Sequence, residues 1–189
     1  HKGRPSYYCS EACRKLARRP RLLALHEEYG PDSAAVKATR MDAVMRAAVD
    51  RLEAQVVSTG AAHLLVPLRS RATIDQARPD AERLAALLRV VGGQGCYLFC
   101  FETVDPEATA HARFFNPTVG ISEDPATGSA AGPLACYLAA RGIAREGALL
   151  EIEQGHAMGR PSRIQVRING SDVRVSGSAV VVAEGNLHL

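Results

Sequence analysis

The sequence lacks an apolar run approaching the roughly 18–20 residues that a membrane-spanning helix needs. Its opening, from His1 to Arg21, holds no apolar core of the kind a secretory signal carries. Internal repeats and low-complexity stretches are also absent. With 47% hydrophobic and 23% charged residues, the composition excludes a wholly disordered or collagen-like chain. Cysteines are few and odd in number: Cys9, Cys13, Cys96, Cys100 and Cys136. Three of these lie in strongly apolar segments, so the expectation is reduced thiols in a cytoplasmic protein. A length of 189 residues suits one domain, alone or with an appendage, and at that size disulfide staples are not needed.

Charge is unevenly spread. Residues 1–25 carry seven Lys or Arg against the single acid Glu11, while the rest carries 16 basic and 19 acidic residues. The basic character therefore belongs to an N-terminal arm, and the body is not a nucleic-acid surface. Cys9 and Cys13 form a Cys-x₃-Cys pair that loosely resembles half of a zinc ribbon. A closed structural zinc site takes four ligands and the second pair is missing, so no metal is assigned.

Hydrophobic spacing divides the chain into a segment 1–53 and a segment 54–189. Met41, Val44, Met45, Ala48, Val49 and Leu52 fall on one stripe at helical period, which predicts an amphipathic helix over 33–53. Beyond residue 54 the pattern is of short strands: Ala54–Ser58, His63–Arg69, Cys96–Phe101 and Ala112–Phe115. Between them a helix is expected with Pro79 at its first position, an apolar face of Leu84, Leu87, Leu88 and Val91, and Gly92-Gly93 as its stop. Ser129–Arg141 reads as a helix that is apolar nearly all round, hence enclosed by other structure. Ile164, Val166 and Ile168, then Asn169-Gly170, then Val173 and Val175 predict a hairpin, and Ala179–Ala183 a last strand. The expected class is α+β, with a curved, mostly antiparallel sheet wrapped around a central helix.

Chemistry concentrates in Gly120-Ile121-Ser122-Glu123-Asp124-Pro125-Ala126-Thr127-Gly128-Ser129-Ala130-Ala131-Gly132. The stretch leads into the enclosed helix, whose first amides have no acceptors within the helix and sit at the positive end of its dipole. Such a turn suits a carboxylate or phosphate. Ser129 adds a hydroxyl, and Glu123 and Asp124 place carboxylates beside it, with Asp124 the candidate for orientation or proton handling. The plainer alternative is a capped loop, with Thr127 or Ser129 as N-cap and Asp124 forming an Asx-turn.

The same stretch, from Phe114-Phe115-Asn116-Pro117 to Gly142, resembles the signature of the phenazine-biosynthesis PhzF-like family. Val57-Ser58-Thr59-Gly60 with Leu64-Leu65-Val66-Pro67, Gly95 to Thr103, Gln154-Gly155 with Gly159-Arg160-Pro161-Ser162, and Val175-Ser176-Gly177 to Glu184-Gly185 are similar to further segments of it. The likeness covers about residues 54–189, the second half of a family member. It implies a diaminopimelate-epimerase-like fold of two similar lobes, with the active site between them. It also implies cofactor-free isomerisation, by proton transfer, of a small cyclic carboxylic acid such as trans-2,3-dihydro-3-hydroxyanthranilate.

Carried onto this chain, the resemblance makes Asp124 and Ser129 the catalytic residues and Gly128, Thr127 and Ser129 the substrate-binding ones. Two departures accompany it. Related epimerases carry a catalytic cysteine in this turn, where Asp124, Pro125 and Ala126 stand here. The family's principal acid/base glutamate belongs to the first lobe, for which residues 1–53 offer no matching segment. The expected partners are therefore a small carboxylate substrate and either the missing first lobe or a second copy of the chain. A non-catalytic small-molecule-binding module, or a basic-armed adaptor, is the alternative on the same fold. A weaker third is a DNA-associated fusion in which residues 1–25 supply the contacts. His63 is expected to be a satisfied strand-end histidine; Arg160 is open to an anionic substrate or to Glu153, with the structural partner preferred; His111 and His156 carry no signal.

Overall fold

The computed structural model describes Val49 and residues 51–186. The basic arm, Cys9, Cys13 and most of the predicted helix over 33–53 lie outside the described residues; Val49 is helical and buried against the core, whereas residues 51–53, expected in the helix, are not helical.

Eight strands make one sheet: β1 (Gln55–Ser58), β2 (Ala62–Pro67), β3 (Gly95–Cys100), β4 (Ala110–Asn116), β5 (Ile121–Asp124), β6 (Leu149–Gln154), β7 (Ser162–Asn169) and β8 (Asp172–Ser176). Their order is β1-β2-β3-β4-β6-β7-β8, with β5 as a short branch on β4. Neighbours are antiparallel except β2/β3 and β4/β6. A parallel neighbour requires a crossover, and each of these crossovers carries helix. Between β2 and β3 run α1 (Arg71–Asp75) and α2 (Ala81–Val91), while α3 (Gly128–Ala140) runs between β4 and β6. The class is α+β and the sheet curls as a half-barrel around α3, as expected.

The period-2 alternation of the strands sorts the side chains onto two faces. Leu65, Tyr97, Phe99, Ala110, Ala112, Phe114, Ile152, Ile164 and Val166 join the core around α3. Leu64, Cys96 and Leu98 point the other way and pack with Leu84 and Leu88 of α2. α3 has no polar side because it has no solvent side: Ala130 through Leu138 are all buried. Its Tyr137 hydroxyl donates to the Glu53 carbonyl at 2.7 Å, and Arg141 lies over the Tyr137 ring.

Boundaries shift in physically sensible ways. Asp80, not Pro79, begins α2: its carboxylate accepts the Arg83 N–H at 2.9 Å, and Pro79 precedes this cap. Gly92, with φ at +74°, closes the helix in the left-handed region. α1 is capped by the Ser70 side chain and is too short to carry a periodic signal. The β7–β8 hairpin pairs Asn169 with Asp172, so its loop is Gly170-Ser171, one residue later than expected.

The predicted strand Ala179–Ala183 does not form. No strand follows β8 among the described residues, and Val180, Val181 and Val182 are 83%, 78% and 89% exposed. An apolar β-rich sequence makes a strand only when a neighbour offers it a ladder, and here none does. No described helix is long and apolar enough to cross a membrane.

Candidate active site

β5 carries the chain from β4 to α3, and its alternation separates the two acids. Glu123 faces away from α3 and forms a two-pronged ion pair with Arg113, Nε to Oε1 and Nη2 to Oε2 both at 2.8 Å. The Arg113 guanidinium also donates to the Ile74 and Ala77 carbonyls at the end of α1. Glu123 is thus a structural partner and does not flank the turn. Asp124 faces the turn, where its Oδ2 accepts the Thr127 hydroxyl at 2.6 Å.

Thr127 holds the N-cap position of α3, but its side chain makes no bond to the helix amides. The hydroxyl is turned instead toward Asp124 and receives the Gln154 amide at 3.0 Å. The Thr127 N–H donates to Gln154 Oε1 at 3.3 Å. The Gln154 amide also donates to the Asp124 carbonyl at 2.6 Å, and the Tyr97 hydroxyl donates to Gln154 Oε1 at 2.9 Å. Tyr97 is held as the neutral phenol, its pKa raised by burial first and by the Asp124 charge second. This buried network fixes Asp124 and Thr127 from beneath.

The second signature braces the same turn. Gly155, with φ at +82°, touches it so closely that a Cβ would collide with the Pro125 and Arg160 carbonyl oxygens. The Ser162 hydroxyl donates to the Pro125 carbonyl at 2.7 Å. Two motifs separated in the sequence are therefore one structure, which explains the need for glycine at 155. Arg160 is exposed, and Glu153 pairs with His111 and not with Arg160.

The open side of the turn is at Ala126 and Ser129, both exposed, with Gly128 half-buried between them and the buried Thr127. A Cβ on Gly128 would press on Val175 of β8. The Ser129 hydroxyl lies 3.3 Å from His63 Nε2. His63 thus belongs to this site and is only half satisfied, because its buried Nδ1 has no partner. Phe114 packs edge-on against the imidazole, and burial lowers its pKa below the ordinary value, favouring the neutral ring. Nothing in the local sequence joins His63 to Ser129. The pairing of β2 with β3 and the packing of α3 across them bring the two together.

Asp124, Thr127, Gly128 and Ser129 therefore lie together at one helix N-terminus. Of the capping alternative, Thr127 does hold the N-cap position, but its hydroxyl goes to Asp124 and not to a helix amide. Cys136, on the same helix, is buried, its pKa pushed up to about 11 by burial.

A profile of the phenazine biosynthesis-like protein family matches residues 21–185. An uncharacterized isomerase of Clostridium acetobutylicum is 32% identical over 149 residues, 75% of this chain and 49% of the relative. The trans-2,3-dihydro-3-hydroxyanthranilate isomerase of Pseudomonas aeruginosa is 37% identical over 142 residues, 71% of this chain and 48% of its own length. The crystal structure of a PhzF-family phenazine biosynthesis protein from Bacillus anthracis matches with a TM-score of 0.55 and 25% identity, over 62% of this chain and 42% of that one. The chain spans about half the length of the curated relatives it matches. The shared sheet wrapped on one helix and the match over residues 21–185 make the chain a member of the phenazine biosynthesis-like, or PhzF-like, family.

Proposed function

We propose that this chain supplies the second lobe of a PhzF-type isomerase that moves a proton on a small cyclic carboxylic acid, without a cofactor. The substrate class is that of trans-2,3-dihydro-3-hydroxyanthranilate, the compound named for the Pseudomonas aeruginosa relative. The observation that carries the reading is the N-terminus of α3, which no side chain caps and beside which the exposed Ser129 hydroxyl stands. The substrate carboxylate docks on the first amides of α3, where the helix dipole favours negative charge. Ser129 donates a further hydrogen bond, oriented by neutral His63. Asp124, held by the Thr127 hydroxyl, orients or relays the proton.

The principal acid/base glutamate of the family has no counterpart among the described residues, so it comes from a first lobe on this or another chain. A single proton donor or acceptor contributes about 10²–10⁴-fold in rate. The isolated chain is therefore expected to bind the acid but to turn it over at no more than about a hundredth of a two-lobed enzyme's rate. The exposed Val180–Val182 segment favours pairing with that lobe or with a second copy. Sedimentation showing a monomer at high concentration counts against the second copy.

The direct test is calorimetric titration of the chain with anthranilate, beside Ser129→Ala and Asp124→Asn. Ser129→Ala is expected to weaken binding about tenfold, the loss of one hydrogen bond to a charged group. Unchanged affinity in both variants, or no binding to the parent chain, removes the substrate assignment. Full-rate isomerisation by the isolated chain removes the two-lobe assignment of the glutamate.

A further inference from the structure

On the face of the sheet turned away from α3, three side chains that no step of the proposed reaction uses come together. His111 of β4 is fully buried, Glu153 of β6 is 1% exposed, and His156 sits in a single helical turn, His156–Met158, after β6. One possible donor atom from each lies within 4.8 Å of the other two. The parallel register of β4 and β6 sets His111 directly beside Glu153.

Glu153 is already fully engaged. Its Oε1 accepts the Val104 N–H at 2.6 Å and faces His111 Nδ1 at 2.7 Å, and its Oε2 accepts the Asp105 N–H at 3.0 Å. A carboxylate holding two backbone amides assigns the His111 proton to Nδ1, which leaves the Nε2 lone pair free. That Nε2 is buried without a hydrogen-bond partner, and so is Nδ1 of His156. The two rings are 5.2 Å apart between centroids. Asp75, at the end of α1 and half-exposed, places Oδ1 3.7 Å from His111 Nε2.

Two buried imidazole nitrogens without a hydrogen-bond partner are costly as they stand, and in the tautomer that turns its lone pair inward each suits a cation. The arrangement of His111 follows a common rule of metal sites, in which the ligating histidine gives its other N–H to a carboxylate that fixes ring and tautomer. The geometry points to a divalent transition-metal site of the zinc class, ligated by His111 Nε2 and His156 Nδ1. Asp75 completes it from the solvent side, and Glu153 is either a further ligand or the orienting carboxylate. Imidazole with carboxylate suits zinc, cobalt or nickel better than calcium or magnesium. Ligand atoms around tetrahedral zinc stand about 3.3 Å apart, so the donors need to draw in by an ångström or so. Gly155 and Gly159, both left-handed, flank the turn that carries His156.

The site would clamp the segment Glu153–His156, which includes the Gln154 side chain beneath Asp124 and Thr127. It is independent of the substrate proposed above and is tested without it. The probe is zinc itself, competed against a chromophoric chelator, with cobalt as spectroscopic substitute, on the full chain carrying Cys9→Ser and Cys13→Ser to remove the arm's thiols. One equivalent is expected to bind, with the visible absorption of tetrahedral or five-coordinate cobalt. His156→Val, a change in a partly exposed turn, should abolish stoichiometric binding while leaving the circular dichroism unchanged. Asp75→Asn should weaken binding at least tenfold. If the chain carrying Cys9→Ser and Cys13→Ser binds no zinc, or binds it equally well with His156→Val added, the site holds a bridging water at most and the inference is wrong.

Discussion

The two faces of the sheet solve the same burial problem differently. On the α3 face the polar atoms around Gln154 form a closed network, and the helix that fills the curve is buried from Ala130 to Leu138. On the other face two shorter helices cover the strands incompletely. Leu87, Val90 and Val91 of α2 are 48%, 84% and 39% exposed, and polar groups are buried in forms that need partners, such as Arg113 with Glu123 or the two histidines that each bury one unpaired ring nitrogen. The difference teaches that packing dominates stability around α3, whereas on the opposite face much of it rests on charged contacts that resist solvent.

Arg113→Met should show the largest effect. It leaves Glu123 partly buried without its cation and frees the α1 carbonyls, and breaking such a pair costs about 3–5 kcal/mol. Urea unfolding measures it, and a loss under 1 kcal/mol would mean that the outer face does not depend on this pair. Leu134→Ala, at the fully buried centre of α3, should cost about 2–5 kcal/mol by the cavity it opens. If it proves milder than an outer-face apolar truncation, the contrast between the faces fails.

His63 gives a smaller, pH-dependent effect confined to the α3 side. Burial lowers its pKa in the folded chain, so the unfolded chain takes up a proton first as the pH falls. The contribution of the neutral ring is present above about pH 6.5 and is lost as the pH drops toward the lowered value. Between pH 7.5 and 5.5 the parent should lose more stability than His63→Gln; equal losses would place the titration elsewhere. Smallest is Leu87→Ala on α2, expected within about 0.5 kcal/mol because the side chain already meets water.

Much of this was readable in advance, for reasons that differ by element. α3 stood out because a helix without a polar face has few alternatives, and the strands around it because alternation persists over several residues. The turn at Asp124–Ser129 stood out as a candidate site from its residue types. What local sequence could not show was which way neighbours face. Glu123 and Asp124 look equivalent in the chain, yet the pleat sends one to Arg113 and the other to Thr127. His63, His111 and His156 carry no local signal because their partners are 66, 42 and 45 residues away. Ala179–Ala183 failed in the opposite sense: its composition is that of a strand, but pairing is decided by a neighbour that composition does not reveal.

The bond between His63 and Ser129 spans 66 residues, and those joining Gln154 to Thr127 span 27. Contacts this distant along the chain form late, since loop-closure entropy must be met before they repay it. The site at Ser129 should thus mature among the later parts of the molecule during refolding. Recovery of ligand binding would trail recovery of helical signal, so it times the joining of β2 to the start of α3.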